Sequence, residues 1–265
     1  MIYRDIAQKA FMDYAGKYDA SDPLIYSKID HTMRVAGNAE QIAVSIGMDR
    51  DDTDFGWMLG LLHDFGRFEQ VRRFGTFVDS HSVDHAELGA DLLFKEKKIS
   101  LFSESGFKEA DHQIAETAIR QHNKLKLPED LDERTRLFCE LLRDADKTDI
   151  FRVIDEMPFE QRIGKSLGML EEKDEASPEC MECIRLHRCI PRAYVHSHFE
   201  GRLGHVCLAF ELVFEESRRI ALKQGHLKHL LAETDENGEQ IWNDRETGQL
   251  RFLKDELEKY WGMAL

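Results

Sequence analysis

The sequence predicts an all-α protein. Apolar residues recur three and four positions apart through most of its 265 residues. Alternating apolar and polar runs of strand type are scarce, and no set of them would build a sheet. Glycine and proline fall where helices would stop and start, as at Gly47 and Pro178.

Taken in order, Ile2, Ile6, Ala10 and Phe11 predict a first amphipathic helix ending near Gly16. Residues 27–46 predict a second, with Ile29, Met33, Ala36, Ala39, Ile42 and Ala43 on its apolar face, closed by Gly47. Thr53 is the expected N-cap of a third helix reaching about His63. Residues 65–80 carry Gly66, Gly75 and mixed polarity and read as a long loop. Ser82 to His85 then opens a helix holding Ala86, Leu88, Ala90, Leu92 and Leu93. Further helices are expected over 108–122 and 131–156, the latter with Leu137, Leu141, Leu142 and Ala145 inside.

A core domain over 1–155 and a helical extension over 156–265 follow. The extension should hold helices at 176–190, 200–222 and 251–261. Asn237 and Gly238 give a turn signal, which predicts a short hairpin across 233–251 with Ile241 and Trp242 facing Leu250 and Phe252. Leu203, Val206, Leu208, Phe210, Leu212 and Phe214 need burial, which favours docking of the extension onto the core or, alternatively, a homodimer face. Cys180 and Cys183 with His187 could be half of a zinc site, but a second pair at the usual separation is missing. Sharing a helix face with Ile184, they read as a buried helix.

Composition sets limits. An apolar share of 42% is ordinary for a globular protein, and 33% charged is high. No run approaches the roughly 18 apolar residues of a membrane span, and the first residues lack the apolar stretch of a signal peptide. A cytoplasmic location with no membrane partner is expected. The net charge of −15 argues against a nucleic acid polymer gripped over a broad surface. A small phosphorylated substrate stays compatible, because a metal and a few cations can reverse the field inside one cleft. The five cysteines are an odd number, and no disulfide framework is expected. The acidic runs Asp49 to Asp54 and Glu171 to Glu182 read as solvated surface.

The residues that carry chemistry are His31, His63 beside Asp64, His85, His122 and Asp146. Imidazole nitrogens and carboxylate oxygens are ligands that Mn, Fe, Co, Ni and Zn accept. His63 and Asp64 close an apolar stretch that begins at Trp57, and burying such a pair is costly without a charged partner. A metal ion is the simplest such partner.

Five segments in this order, Lys28–Val35, Leu61–Arg67, Val83–Gly89, Ala118–Asn123 and Arg143–Asp149, resemble the HD-domain superfamily of metal-dependent phosphohydrolases. The resemblance implies an HD-domain helical core with the C-terminal extension added to it. It implies that His31, His63, Asp64 and Asp146 hold one metal, with Asp146 favoured over Asp144. In members with two ions the residue matching Asp64 bridges, and those matching His85 and His122 hold the second. The cyclic-dinucleotide branch has two adjacent histidines where this chain has His122 and Asn123, followed by a Gly-Tyr-Pro that is missing here, which argues against that branch.

The implied cofactor is one or two divalent ions, Mn, Fe, Co, Ni or Mg. The implied reaction is attack of metal-activated water on a small phosphomonoester, with a nucleotide favoured, and Asp64 at its centre. Lys28, three residues before His31, and Arg67, three after Asp64, are expected at the substrate phosphate. Arg34, Arg143 and Lys147 are expected in ion pairs with nearby acids. Two alternatives use the same donors: a mixed-valent di-iron oxygenase, and a nucleotide-binding regulatory module without turnover. His81 reads as a loop residue, and His112 has no ligand neighbour four residues on. His196, His198, His205, His226 and His229 lie outside the motifs and read as ordinary surface or core histidines.

Overall fold

Half of the described α-helices of the computed structural model begin at a residue whose side chain takes up free amides of the first turn. The structure describes residues 1–19, 21–156, 175–235 and 237–265. The helices are α1 (Arg4–Ala15), α2 (Pro23–Ser45), α3 (Arg50–Leu62), α4 (Phe65–Phe74), α5 (His85–Ala90), α6 (His112–Gln121) and α7 (Glu133–Glu156). They continue as α8 (Pro178–Arg185), α9 (His198–Cys207), α10 (Glu215–Gln224), α11 (His226–Leu230) and α12 (Asp244–Trp261). Among the described residues the only β pairing is one bridge, Thr234 with Gln240, so the fold is all-α. No described helix is long and apolar enough to cross a membrane. Of the acidic run 171–182, residues 171–174 lie outside the described residues.

The chain divides into two units, Met1–Asp149 and Ile150–Leu265. In the first, Phe11, Phe65, Phe68, Phe102 and Phe138 are fully buried. Phe65 stacks on Tyr14 at 3.7 Å between ring centroids. The second has its own apolar cluster, running from Phe151 through Cys180, Ile184, Phe199 and Leu203 to Leu253, Leu257 and Trp261. Leu203, Val206, Phe210 and Leu212 belong to that cluster. The burial they require is thus supplied inside the second unit. Cys180 and Cys189 turn their thiols to the carbonyls of Tyr194 and Cys207, and no disulfide joins cysteines among the described residues.

Several local expectations change. Residues 65–74 form a helix, because Phe65, Phe68 and Val71 bury one face and Gly75, at φ +64°, closes it. Gly66 is there for closeness of approach: a Cβ on it would lie 2.4 Å from the His85 carbonyl oxygen and 2.5 Å from the Gly89 nitrogen. α3 is capped by Asp49, whose side chain accepts from the Asp52 amide, and Thr53 lies inside the helix. Of the hairpin expected across 233–251 only the turn remains, with the Thr234–Gln240 bridge and the Ile241 amide donating to the Glu233 carbonyl; from Asp244 on, α12 takes the place of the return strand. Asn243 and Glu246 form a capping box, and Leu250, Leu253, Leu257 and Trp261 give the helix a buried stripe. Residues 200–222 break into α9 and α10. From Val206 to Phe214 the apolar residues come at every second position, a spacing no helix can bury on one side.

Candidate metal centre

The six residues singled out by the motifs sit on six consecutive elements. His31 lies within α2 and Asp146 within α7. His63 closes α3, Asp64 precedes α4, His85 opens α5 and His122 closes α6. Four of these donors stand at helix ends and two within helices, and small residues let the helices approach. A Cβ on Gly60 would lie 2.6 Å from the Ala36 Cα, so α3 rests directly on α2 and carries His63 to His31. Gly66 and Gly89 do the same for α4 and α5, and so for Asp64 and His85.

Two groups of donors result, and Asp64 belongs to both. In one, the Nε2 atoms of His31 and His63 are 3.3 Å apart. Asp64 Oδ2 stands 3.6 and 3.4 Å from them, and Asp146 Oδ1 stands 3.1 and 3.6 Å from them. In the other, the Nε2 atoms of His85 and His122 are 3.0 Å apart, with Asp64 Oδ1 at 3.5 and 3.9 Å. Donors bonded at about 2.1 Å to one ion stand about 3.0 Å apart at right angles and about 3.4 Å apart at the tetrahedral angle. Both groups are near those spacings.

The proton positions strengthen the case. His63 Nδ1 donates to the Gly60 carbonyl and His122 Nδ1 to the Ile119 carbonyl, each at 2.7 Å. His31 Nδ1 donates to Asp149 and His85 Nδ1 to Asp79, again at 2.7 Å. With every Nδ1 protonated, every Nε2 presents a lone pair. Lone pairs of two imidazoles therefore face each other, and face carboxylate oxygens, in a buried space. Asp64 Oδ1 is itself buried with no hydrogen-bond partner. Only a cation or extra protons relieve such an arrangement, so the donor set fits divalent ions.

Burial, and then the neighbouring charges of His85 and His63, push His122 down to about 3. Burial and the Arg67 guanidinium lower His85 likewise. Both stay neutral donors at neutral pH. Burial also works against a charged His63, but Asp64 and Asp146 outweigh it and raise its pKa. For Asp64 burial opposes ionisation, yet the Lys28 ammonium and the nearby imidazoles hold it well below the usual carboxylate range.

Lys28 is buried, with Nζ 2.7 Å from Asp64 Oδ2. Arg67 commits Nη1 to the Phe77 carbonyl, Gln70 and Asp79, at 2.7, 2.9 and 3.1 Å. Its Nε is buried without a hydrogen-bond partner, 3.5 Å from Asp64 Oδ1. Both cations lie over the Phe77 ring, at 5.4 and 5.3 Å from its centroid. Arg34 pairs with Asp30 on the exposed side of α2. Arg143 donates to the carbonyls of Gln121, Lys124 and Leu125 and so braces the segment behind His122. Lys147 is buried. His81 is exposed, and His112 packs on Phe94 and Phe107.

Sequence reasoning missed Asp79, Asp149 and Phe77. Asp149 had a signal, since it follows Asp146 by one helical turn and shares its face. Asp79 and Phe77 come from an irregular stretch between α4 and α5, where no period fixes which side chain turns inward.

A buried histidine–aspartate centre assembled from consecutive helices, four of its donors at helix ends and two within helices, defines the class, and comparison with known families agrees. The family model described as HD domain matches residues 29–151, which supports HD-domain superfamily membership for that segment. No curated protein and no solved structure matches the chain.

Proposed function

We propose that the protein is a metal-dependent phosphohydrolase acting on a small phosphomonoester, with a nucleotide as the favoured substrate. One observation carries this reading: Asp64 turns each carboxylate oxygen to a different pair of imidazoles whose lone pairs converge. A bridging carboxylate between two such sets suits two divalent ions. Bound there, the ions would supply Lewis acidity toward a phosphoryl oxygen and lower the pKa of water. His31, His63 and Asp146 would hold one ion, His85 and His122 the other, and Asp64 both.

The protein's own groups then have distinct tasks. Lys28 offsets the charge of Asp64 and presents an ammonium to a phosphoryl oxygen at the mouth of the pair. Arg67, with Nη1 tied to the 77–79 segment, has Nε left to donate to a second phosphoryl oxygen. Charge that grows on phosphorus-bound oxygens during in-line attack is stabilised by such fixed donors. Phe77 walls the site beside both cations and keeps water away from them.

The test is phosphate release from mononucleotides, nucleoside triphosphates and sugar phosphates with added Mn, Co, Ni or Mg, with the Asp64→Ala protein alongside. Release that needs the metal and is lost with Asp64 is expected. Full activity in Asp64→Ala protein would sink the assignment. Metal bound without any release, together with substrate-dependent oxygen uptake or nucleotide-induced stabilisation, would shift the reading to the oxygenase or the regulatory module.

A further inference from the structure

The second unit gathers donors that belong to no motif. Asp155 lies one residue before the end of α7. α10 stops at Gly225, whose φ of +80° turns the chain straight into α11, where His226 and His229 follow three residues apart on one side. Both histidines aim Nδ1 at a single atom, Asp155 Oδ2, at 2.9 and 3.1 Å. Their rings are nearly perpendicular, at 89°, so the nitrogens approach that oxygen from different directions. Asp155 and His226 are largely buried, whereas the His229 side chain is 71% exposed.

Two imidazole nitrogens with one carboxylate oxygen are a donor set that borderline divalent ions prefer, and three protein donors leave a position for water. An ion bonded at about 2.1 Å to each donor would hold them about 3.0–3.4 Å apart. The two nitrogen–oxygen separations lie at the short end of that spacing and all three donor atoms lie within 4.8 Å of one another, so an ion can replace the two shared protons with a small outward shift of the donors. The exposed flank of His229 provides the way in and the water position. We infer that Asp155, His226 and His229 form a second cation site, in the second unit, for Zn2+, Co2+ or Ni2+. Because the donors lie 71 and 74 residues apart along the chain, an ion there clips α11 to the end of α7.

The inference stands apart from the proposed reaction, since no donor is shared with the first centre. The experiment uses full-length protein freed of any histidine tag and stripped with a chelator. Cobalt is titrated into the wild type, into His229→Ala and into the His226→Ala, His229→Ala double variant. Bound metal is counted per chain, visible absorption reports the coordination, and circular dichroism checks the fold. His229→Ala should weaken one ion by more than about 100-fold, beyond the 10–100-fold typical of losing only an outer partner. The double variant should bind one ion fewer than the wild type, with phosphate release intact. Equal stoichiometry and equal cobalt spectra in all three proteins would overturn the inference. Should the double variant misfold, the exposed His229 alone still decides it.

Discussion

An imidazole serves a metal only when its donating nitrogen is free of a proton, and here each of four rings is held in that state by a different acceptor. Two are backed by carbonyls three residues earlier, Gly60 and Ile119, which follow from placing histidine at a helix end. The other two are backed by Asp149 and Asp79. A carboxylate makes its imidazole the stronger donor. Each donor group thus has one ring of each kind. Asp149→Asn should weaken the ion beside His31, and Asp79→Asn the ion beside His85, each by roughly 10–100-fold. Asp79 also holds Arg67 and Gln70, so its variant should raise KM as well, whereas Asp149→Asn should leave KM for substrate near the wild-type value. Metal titration with steady-state kinetics separates the two. An equal loss at both ions in either variant would contradict the division into two groups. The donors were legible in the sequence because histidine and aspartate in a fixed order have few other reasons to recur. Their outer partners were legible only where a helical turn ties them to a donor, as for Asp149.

At the scale of elements, the centre depends on helices closer together than ordinary side chains permit. α2, α5, α6 and α7 were readable because their apolar positions follow a helical period. α4 was not, since Gly66 looks like a break when read along the chain, and its reason lies in a neighbour across the fold. The Cβ of an alanine at Gly66 would meet backbone atoms of α5, which no rotamer change can relieve. Gly66→Ala should therefore push α5 away and cost about 1–3 kcal/mol, the range for overpacked sites. His85 moves with α5, so the same variant should lose the ion of His85 and His122 before that of His31 and His63. Denaturant unfolding and metal counting check both halves. A variant that is destabilised yet keeps both ions at wild-type affinity would show that the contact matters for packing alone. The shortening of the expected hairpin has a similar cause: the turn signal at Asn237 and Gly238 is genuine, but the capping box at Asn243 and Glu246 starts a helix before the return strand can extend beyond its single bridge.

At the scale of the whole molecule, stability and the centre meet in the first unit. There Lys28, His31, His63, Asp64, His85 and His122 are all removed from water. Burying that many polar groups opposes folding unless they are satisfied, and hydrogen bonds satisfy only the Nδ1 side of the rings. An ion that binds the folded state alone contributes stability by mass action, about 2.7 kcal/mol at 100 times its dissociation constant. For a unit of this size each kcal/mol moves the midpoint by roughly 2–4 °C, so saturating Mn2+ should raise it by roughly 5–10 °C. The second unit carries its own apolar cluster and Trp242 and Trp261, while Trp57 lies in the first. In a Trp242→Phe, Trp261→Phe protein, fluorescence follows the first unit alone. Its midpoint should rise with Mn2+, fall back with a chelator, and stay fixed when Asp64→Ala is added. A midpoint indifferent to Mn2+ in the protein with Asp64 intact would mean that the converging lone pairs are relieved by protons instead, and the centre would then lose its claim to metal chemistry.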